Sequence, residues 1–277
     1  MFEYRSSSGA TFALAGDDSP YWADPDDLRS WEFDYEVANL RVTRFTRDLR
    51  EVELHISCMA EPGDGRALME ALDRALERDT KTGEPGTLEL DGYVMPVFCV
   101  GNVLDGDGSF ADTEMERTVR FVYAQPEWVR EDAFRYEKAS EDYDAALAFP
   151  FDFAADMQAA RLRDMADNDT GAPADIRLDI DGPCTNPAVT VAGNIYEVDV
   201  TVPAGATLTI DGRDRTKIPL VLADGSVHNV FANRRRGARG SGAYCFERVP
   251  EGALSVEWDN SFSFTLTVYD ARGCPPC

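Results

Sequence analysis

The stretch 174–270 constrains this 277-residue chain most. Four runs, 176–180, 195–202, 206–210 and 262–268, alternate apolar and polar side chains, the period of a strand with one face in a core and the other in water. Turn chemistry separates them: Gly182-Pro183, Asp211-Gly212, Asp224-Gly225 and Asp259-Asn260 recur at short intervals, as the hairpins of an antiparallel all-β module do. The pattern predicts a β-sandwich over 174–277. No residue in it has the spacing of a catalytic group.

Upstream the texture differs, so two domains are expected. The opening to about Pro25 is polar and rich in Gly, Ser and Asp, with an apolar patch at 11–15 that suits an edge strand. Residues 31–37 and 50–56 alternate apolar with charged side chains and predict two strands. Leu68, Leu72, Ala75 and Leu76 recur at spacings of three and four, predicting one amphipathic helix over 66–78. Strands follow at 87–90, 93–100 and 116–123, with Pro96 marking the second as an edge or bulged strand. The first domain is therefore β-rich with one helix and spans 1–150. Residues 151–173 read as a linker or a segment without clear pattern, with 167–171 as the linker proper.

Asp and Glu outnumber Lys and Arg 51 to 27, for a net charge of −24. Such a chain repels nucleic-acid phosphate and anionic bilayers, which argues against nucleic-acid binding and membrane insertion. No apolar run of about 18 residues occurs, and the first residues lack the basic start and apolar run of a secretion signal. Synthesis in a cytoplasm is expected. Cys58, Cys99, Cys184 and Cys245 are too scattered for a disulfide framework and read as packed thiols.

Candidate chemistry is sparse. His55 and His228 lie in strand-like surroundings in different domains, with no partner at a ligand spacing. Cys274 and Cys277 have C-x-x-C spacing but end the chain instead of opening a helix after a strand, so a frayed terminus is expected. Asp105, Asp107, Ser109 and Glu116 imitate the ligand spacing of a calcium loop, but Phe110 replaces the glycine its sharp turn needs, and a solvated hairpin loop is the simpler reading. Nucleophile-elbow, phosphate-loop and zinc-helix motifs are absent from the sequence, so catalytic, metal and cofactor-binding residues are all assigned as none. Arg234, Arg235, Arg236 and Arg239, followed by Gly240 and Gly242, form one basic cluster in an acidic chain and are the candidate partner-contact loop.

Scattered residues over most of the chain resemble the distal tail protein family of long-tailed, siphovirus-type bacteriophages and prophages. In the second domain they are Gly182 with Asn186-Pro187, Tyr196, Ile210-Asp211, Gly225 with Asn229 and Phe231, Phe246 with Pro250 and Gly252, Trp258, and Arg272. The first domain adds Trp31 and Phe33, the helix leading into Pro85-Gly86 and Leu88, and Phe121 to Trp128. The Cys-Pro-Pro-Cys ending, the acidic loop after Gly101 and the arginine cluster depart from the family pattern.

The resemblance implies a mainly β protein: a ring-forming N-terminal domain and a galectin-like C-terminal sandwich. It also implies a homo-hexamer at the virion tail tip, made in the host bacterial cytoplasm. That ring would join the tail tube protein to a tail-associated lysin or tail-tip protein and a receptor-binding protein, without enzymatic activity. The alternative is a carbohydrate-binding module that stacks host glycans on Trp258, Tyr244 or Tyr269. A wall hydrolase would need two carboxylates facing each other across a cleft.

Overall fold

The computed structural model describes residues 1–61, 64–105, 114–138 and 162–276. They are mainly β, with one α-helix among the described residues. The chain divides into two compact units, Met1–Arg130 with Ala271–Cys277, and Glu131–Asp270.

In the first unit, β1 (Phe2–Arg5), β2 (Thr11–Ala13) and β3 (Tyr21–Ala23) precede β4 (Asp34–Ala38), β5 (Arg41–Thr46) and β6 (Glu51–Met59). Helix α1 (Gly65–Thr82) follows, then β7 (Gly86–Leu90), β8 (Tyr93–Asp105), β9 (Glu114–Tyr123) and β10 (Trp128–Tyr136). The sheet runs β2-β1-β7-β8, and β8 also pairs with β9, which carries β6 and then β3. β2 is the edge strand expected at 11–15, and ahead of it β1 buries Phe2 and Tyr4. Pro96 lies in an interior strand, since β8 bonds to β7, β9 and β10, and the register shifts between Cys99 and Gly101. Along β6, Val52, Leu54, Ile56 and Cys58 are buried and the residues between them face outward. The buried side packs against Met69, Leu72, Ala75 and Leu76 of α1. The helix outruns the expected 66–78 and stops at Gly83, whose left-handed backbone (φ 72°) ends it.

One buried carboxylate ties the chain start to this helix. The hydroxyls of Tyr4, Ser6 and Ser7 and the Ser7 amide all donate to Asp79, which is fully buried. A buried charge is tolerable only when its oxygens are saturated in this way. Burial, and then the hydrogen bond to Asp79, push the Tyr4 phenol well above its ordinary range, so it stays a donor.

The second unit holds β11 (Leu162–Asn168), β12 (Ile176–Asp181), β13 (Cys184–Thr185), β14 (Ala188–Val191), β15 (Asn194–Glu197) and β16 (Thr201–Val202). It continues with β17 (Thr207–Asp211), β18 (Pro219–Val221), β19 (Val227–Asn229), β20 (Gly252–Trp258) and β21 (Phe264–Arg272). One sheet runs β19-β18-β17-β12-β21-β10 and another β11-β20-β14-β15, with β13 and β16 as a separate short pair. Residues of both sheets meet in one core: Leu178, Leu208 and Leu266 from the first, and Val189, Val191, Tyr196, Leu254 and Trp258 from the second. This is the sandwich that the alternation demands. Gly182 follows β12 where any Cβ would lie 1.9 Å from the Pro203 carbonyl oxygen, so only glycine fits.

The segment 167–171, which reads as a linker, is the end of β11 and a turn. Asn168 is buried and donates to the carbonyls of Ala172 and Pro250 at 3.0 and 2.9 Å, fastening the turn to the body. The chain end likewise differs from a frayed terminus. β21 runs on to Arg272, Pro275 is buried, and the Arg29 guanidinium donates to the Pro276 carbonyl. Cys58, Cys184 and Cys245 are buried free thiols, and burial holds Cys184 and Cys245 up at about 11, so they stay protonated at neutral pH.

Replacing Asp79 by Ala strands four donors, and we expect a loss of about 3 kcal/mol or more in urea unfolding, against roughly 1 kcal/mol for Tyr4→Phe. Equal losses from the two changes would mean that Asp79 acts through Tyr4 alone.

Candidate interaction surfaces

Among the described residues strands β4 and β5 pair only with each other, and almost every residue in them is exposed. The expected strand over 31–37 therefore starts later, at Asp34, and stands away from the core. Its register explains its texture. Tyr35 lies opposite Phe45 and Val37 opposite Val42, with a shift after Glu36. That bulge brings Val42 and Phe45, three residues apart, onto the face that Tyr35 and Val37 share. The opposite face carries Asp34, Glu36, Arg44 and Thr46, with Arg44 3.8 Å from Glu36.

The ribbon is thus amphipathic, and among the described residues its apolar face is left largely open: Tyr35 is 63% and Phe45 66% exposed. At the tip Asn39 and Leu40 have φ 51° and 62°, the geometry of a two-residue hairpin turn that usually takes Asn-Gly. Leucine is strained there, and it is 99% exposed. Covering the four apolar residues is worth on the order of 1 kcal/mol each, since each starts about half exposed or more.

The apolar stripe continues to the root. Phe33 packs edge-on against both Phe45 and Trp31 (centroids 6.3 and 5.3 Å), and the Arg47 guanidinium lies 4.3 Å from the Phe33 ring. Here a cleft of about 220 Å³ opens, lined among others by Trp31, Glu32, Arg47, Arg50 and Tyr123. Gly273 closes one wall. A Cβ there would come within 2.7 Å of Trp31 and 2.8 Å of Arg47, so the returning chain end needs glycine to pass. Burial pushes the Tyr123 phenol up to about 12, so it is uncharged at neutral pH.

In the second unit the arginine loop divides. Arg234 stacks 3.6 Å over Phe231 and donates to its carbonyl, and Arg235 pairs with Glu197 at 2.6 Å. These two hold the loop on the sandwich. Arg236 and Arg239 are exposed and make no ion pair among the described residues.

The other sequence candidates do not converge. His55 lies in β6 with Nδ1 3.0 Å from the Thr118 hydroxyl, whereas His228 is exposed on β19. Residues 106–113 of the calcium-like stretch, and Cys277, lie outside the described residues. Among the described residues no group of three His, Cys, Asp or Glu side chains has metal-binding geometry, and no helix is long and apolar enough to cross a membrane. Of the aromatics that could stack a sugar, Trp258 and Tyr269 are buried and Tyr244 is half-buried against Phe246. Trp258 packs on Tyr136 and Phe264, and the Tyr269 hydroxyl lies 3.1 Å from Arg177 and 3.2 Å from Asp211. The amphipathic ribbon was hidden from sequence reasoning because the bulge breaks the period of β5.

No protein-family description matches the chain, and no curated protein does. Solved structures do. The Dit protein of phage SPP1, described as a paradigm of the hub adsorption apparatus in phages that infect Gram-positive bacteria, matches at TM-score 0.55 and 11% identity, over 98% of this chain and 99% of that one. A chain of the phage P2 baseplate in its activated conformation with Ca matches at 0.55 and 10%, over 97% and 98%. The same baseplate with Sr gives 0.53 and 9%, over 97% and 98%. The chain therefore has the fold of these phage hub and baseplate proteins along nearly its whole length.

Because the ribbon shares no core, Tyr35→Asp and Phe45→Asp are expected to shift unfolding free energy by less than about 0.5 kcal/mol. Phe121→Ala, inside the first unit, is expected to cost about 3 to 5 kcal/mol. Urea melts of the three variants check both.

Proposed function

We propose that this protein is a structural hub of a phage tail tip, assembling as a homo-hexameric ring between the tail tube and the host-adsorption apparatus. The observation that carries this reading is the fold likeness to SPP1 Dit, which spans both units and not a single common module. The exposed ribbon supports it, since a chain that leaves an amphipathic face uncovered is built to meet another surface.

In this reading the first unit, Met1–Arg130 with Ala271–Cys277, forms the ring, and the sandwich of the second unit projects a galectin-like surface carrying Arg236 and Arg239 toward an acidic partner. Its neighbours are the tail tube protein and a tail-associated lysin or tail-tip protein, with a receptor-binding protein beyond. A ring made of a −24 chain suits a channel that DNA must pass, because it repels phosphate. The work is done by fitted surfaces and requires no reactive centre. The burial of Trp258 and Tyr269 favours this reading over a sugar-stacking module.

Negative-stain electron microscopy of the purified protein is the test. Closed rings of uniform diameter are expected. Particles of monomer size alone, or turnover of purified cell wall by the chain, would count against the hub.

A further inference from the structure

We propose that the cleft lined by Trp31, Arg47 and Tyr123 is a binding site for one uncharged sugar ring. The inference goes beyond the hub reading. It lies in the first unit and uses none of the sandwich aromatics. Three observations carry it.

The first is a pair of donors without acceptors. The Tyr123 side chain is 3% exposed and that of Arg47 15%, yet among the described residues neither the Tyr123 hydroxyl nor Nε of Arg47 finds an acceptor. Both side chains line the cleft. Burial holds the Tyr123 phenol up at about 12 against the opposing pull of the Arg50 charge, so the hydroxyl keeps the proton it has to give. Leaving a shielded donor unmet costs about 1 to 3 kcal/mol, and a ligand bringing oxygen acceptors into the cleft relieves that cost.

The second is the charge of the walls. Glu32, Asp34 and Asp48 line the cleft with Arg47 and Arg50, three carboxylates against two guanidinium groups. Both cations are already engaged, Arg47 with Glu127 at 3.4 Å and Arg50 with the Ser30 carbonyl. An anion is therefore repelled there. Glu32 and Asp48 are exposed, make no ion pair among the described residues, and can accept from hydroxyl groups. The ligand that suits these walls is uncharged and carries both hydroxyl donors and oxygen acceptors.

The third is size and the aromatic wall. At about 220 Å³ the cleft is smaller than the roughly 300–1,000 Å³ of pockets for drug-sized ligands, so it suits a single ring. Trp31, 59% exposed, presents its indole to that ring, and Leu49 and Pro126 add apolar surface. A hydroxylated ring with one C–H face is a pyranose.

The test is saturation-transfer NMR on the full chain, with glucose, galactose and N-acetylglucosamine as probes and acetate and phosphate as anion controls. At least one sugar is expected to bind saturably. Trp31→Ala removes the stacking face and Tyr123→Phe removes a single hydroxyl, and each is expected to weaken that binding roughly tenfold or more. Because the hydroxyl has no acceptor within the chain, Tyr123→Phe is expected to melt like the parent, which separates lost binding from lost folding. Sugar binding that survives both changes, a preference for acetate or phosphate, or saturable binding of none of the three sugars overturns the proposal. None of these outcomes touches ring formation, which electron microscopy reads separately.

Discussion

A strand that alternates apolar and polar side chains creates an apolar face that must leave water, and the three parts of this protein meet that demand differently. In the sandwich, Leu178, Leu208 and Leu266 of one sheet face Val189, Leu254 and Val256 of the other. In the first unit, β6 and its neighbours are covered by the apolar stripe of α1. The β4–β5 ribbon also gathers an apolar face, through its bulge, and among the described residues that face stays exposed. Two faces are satisfied within the chain, and the third is left open among the described residues.

The acidic charge gives that difference its meaning. A chain at −24 is held apart from its copies by long-range repulsion, which salt screens but does not remove. Any contact between copies has to be short-range and locally neutral. The ribbon has balanced charges and an apolar face, and the sandwich loop with Arg236 and Arg239 is a second, smaller break in the acidic charge. The Asp79 network works inside the first unit, where it fixes the chain start against α1.

What could be read in the sequence was whatever has a period. The strands at 176–180 and 206–210 and the helix stripe of Leu72, Ala75 and Leu76 lie where the patterns put them, because burial of one face is what the pattern records. Alternation over 31–37 announced an apolar face but not whether anything covers it, since that depends on distant residues. β5 went unread because its bulge puts Val42 and Phe45 out of step. β1 is short and precedes a polar stretch, so no strand was read at Phe2 and Tyr4. The turn at 167–171 and the chain end at 271–276 were misread as loose because their anchors, Asn168 with Pro250 and Arg29 with Pro276, join residues far apart in the chain.

The central claim is that of the proposed hub: the ribbon's apolar face, exposed in the single chain, meets another surface in the assembly. Hydrogen–deuterium exchange over 34–46, compared between dilute monomer and isolated assembly, addresses it directly. Fast exchange in the monomer and strong protection in the assembly are predicted. Equal exchange in both states, with protection appearing elsewhere in the chain, would contradict the account.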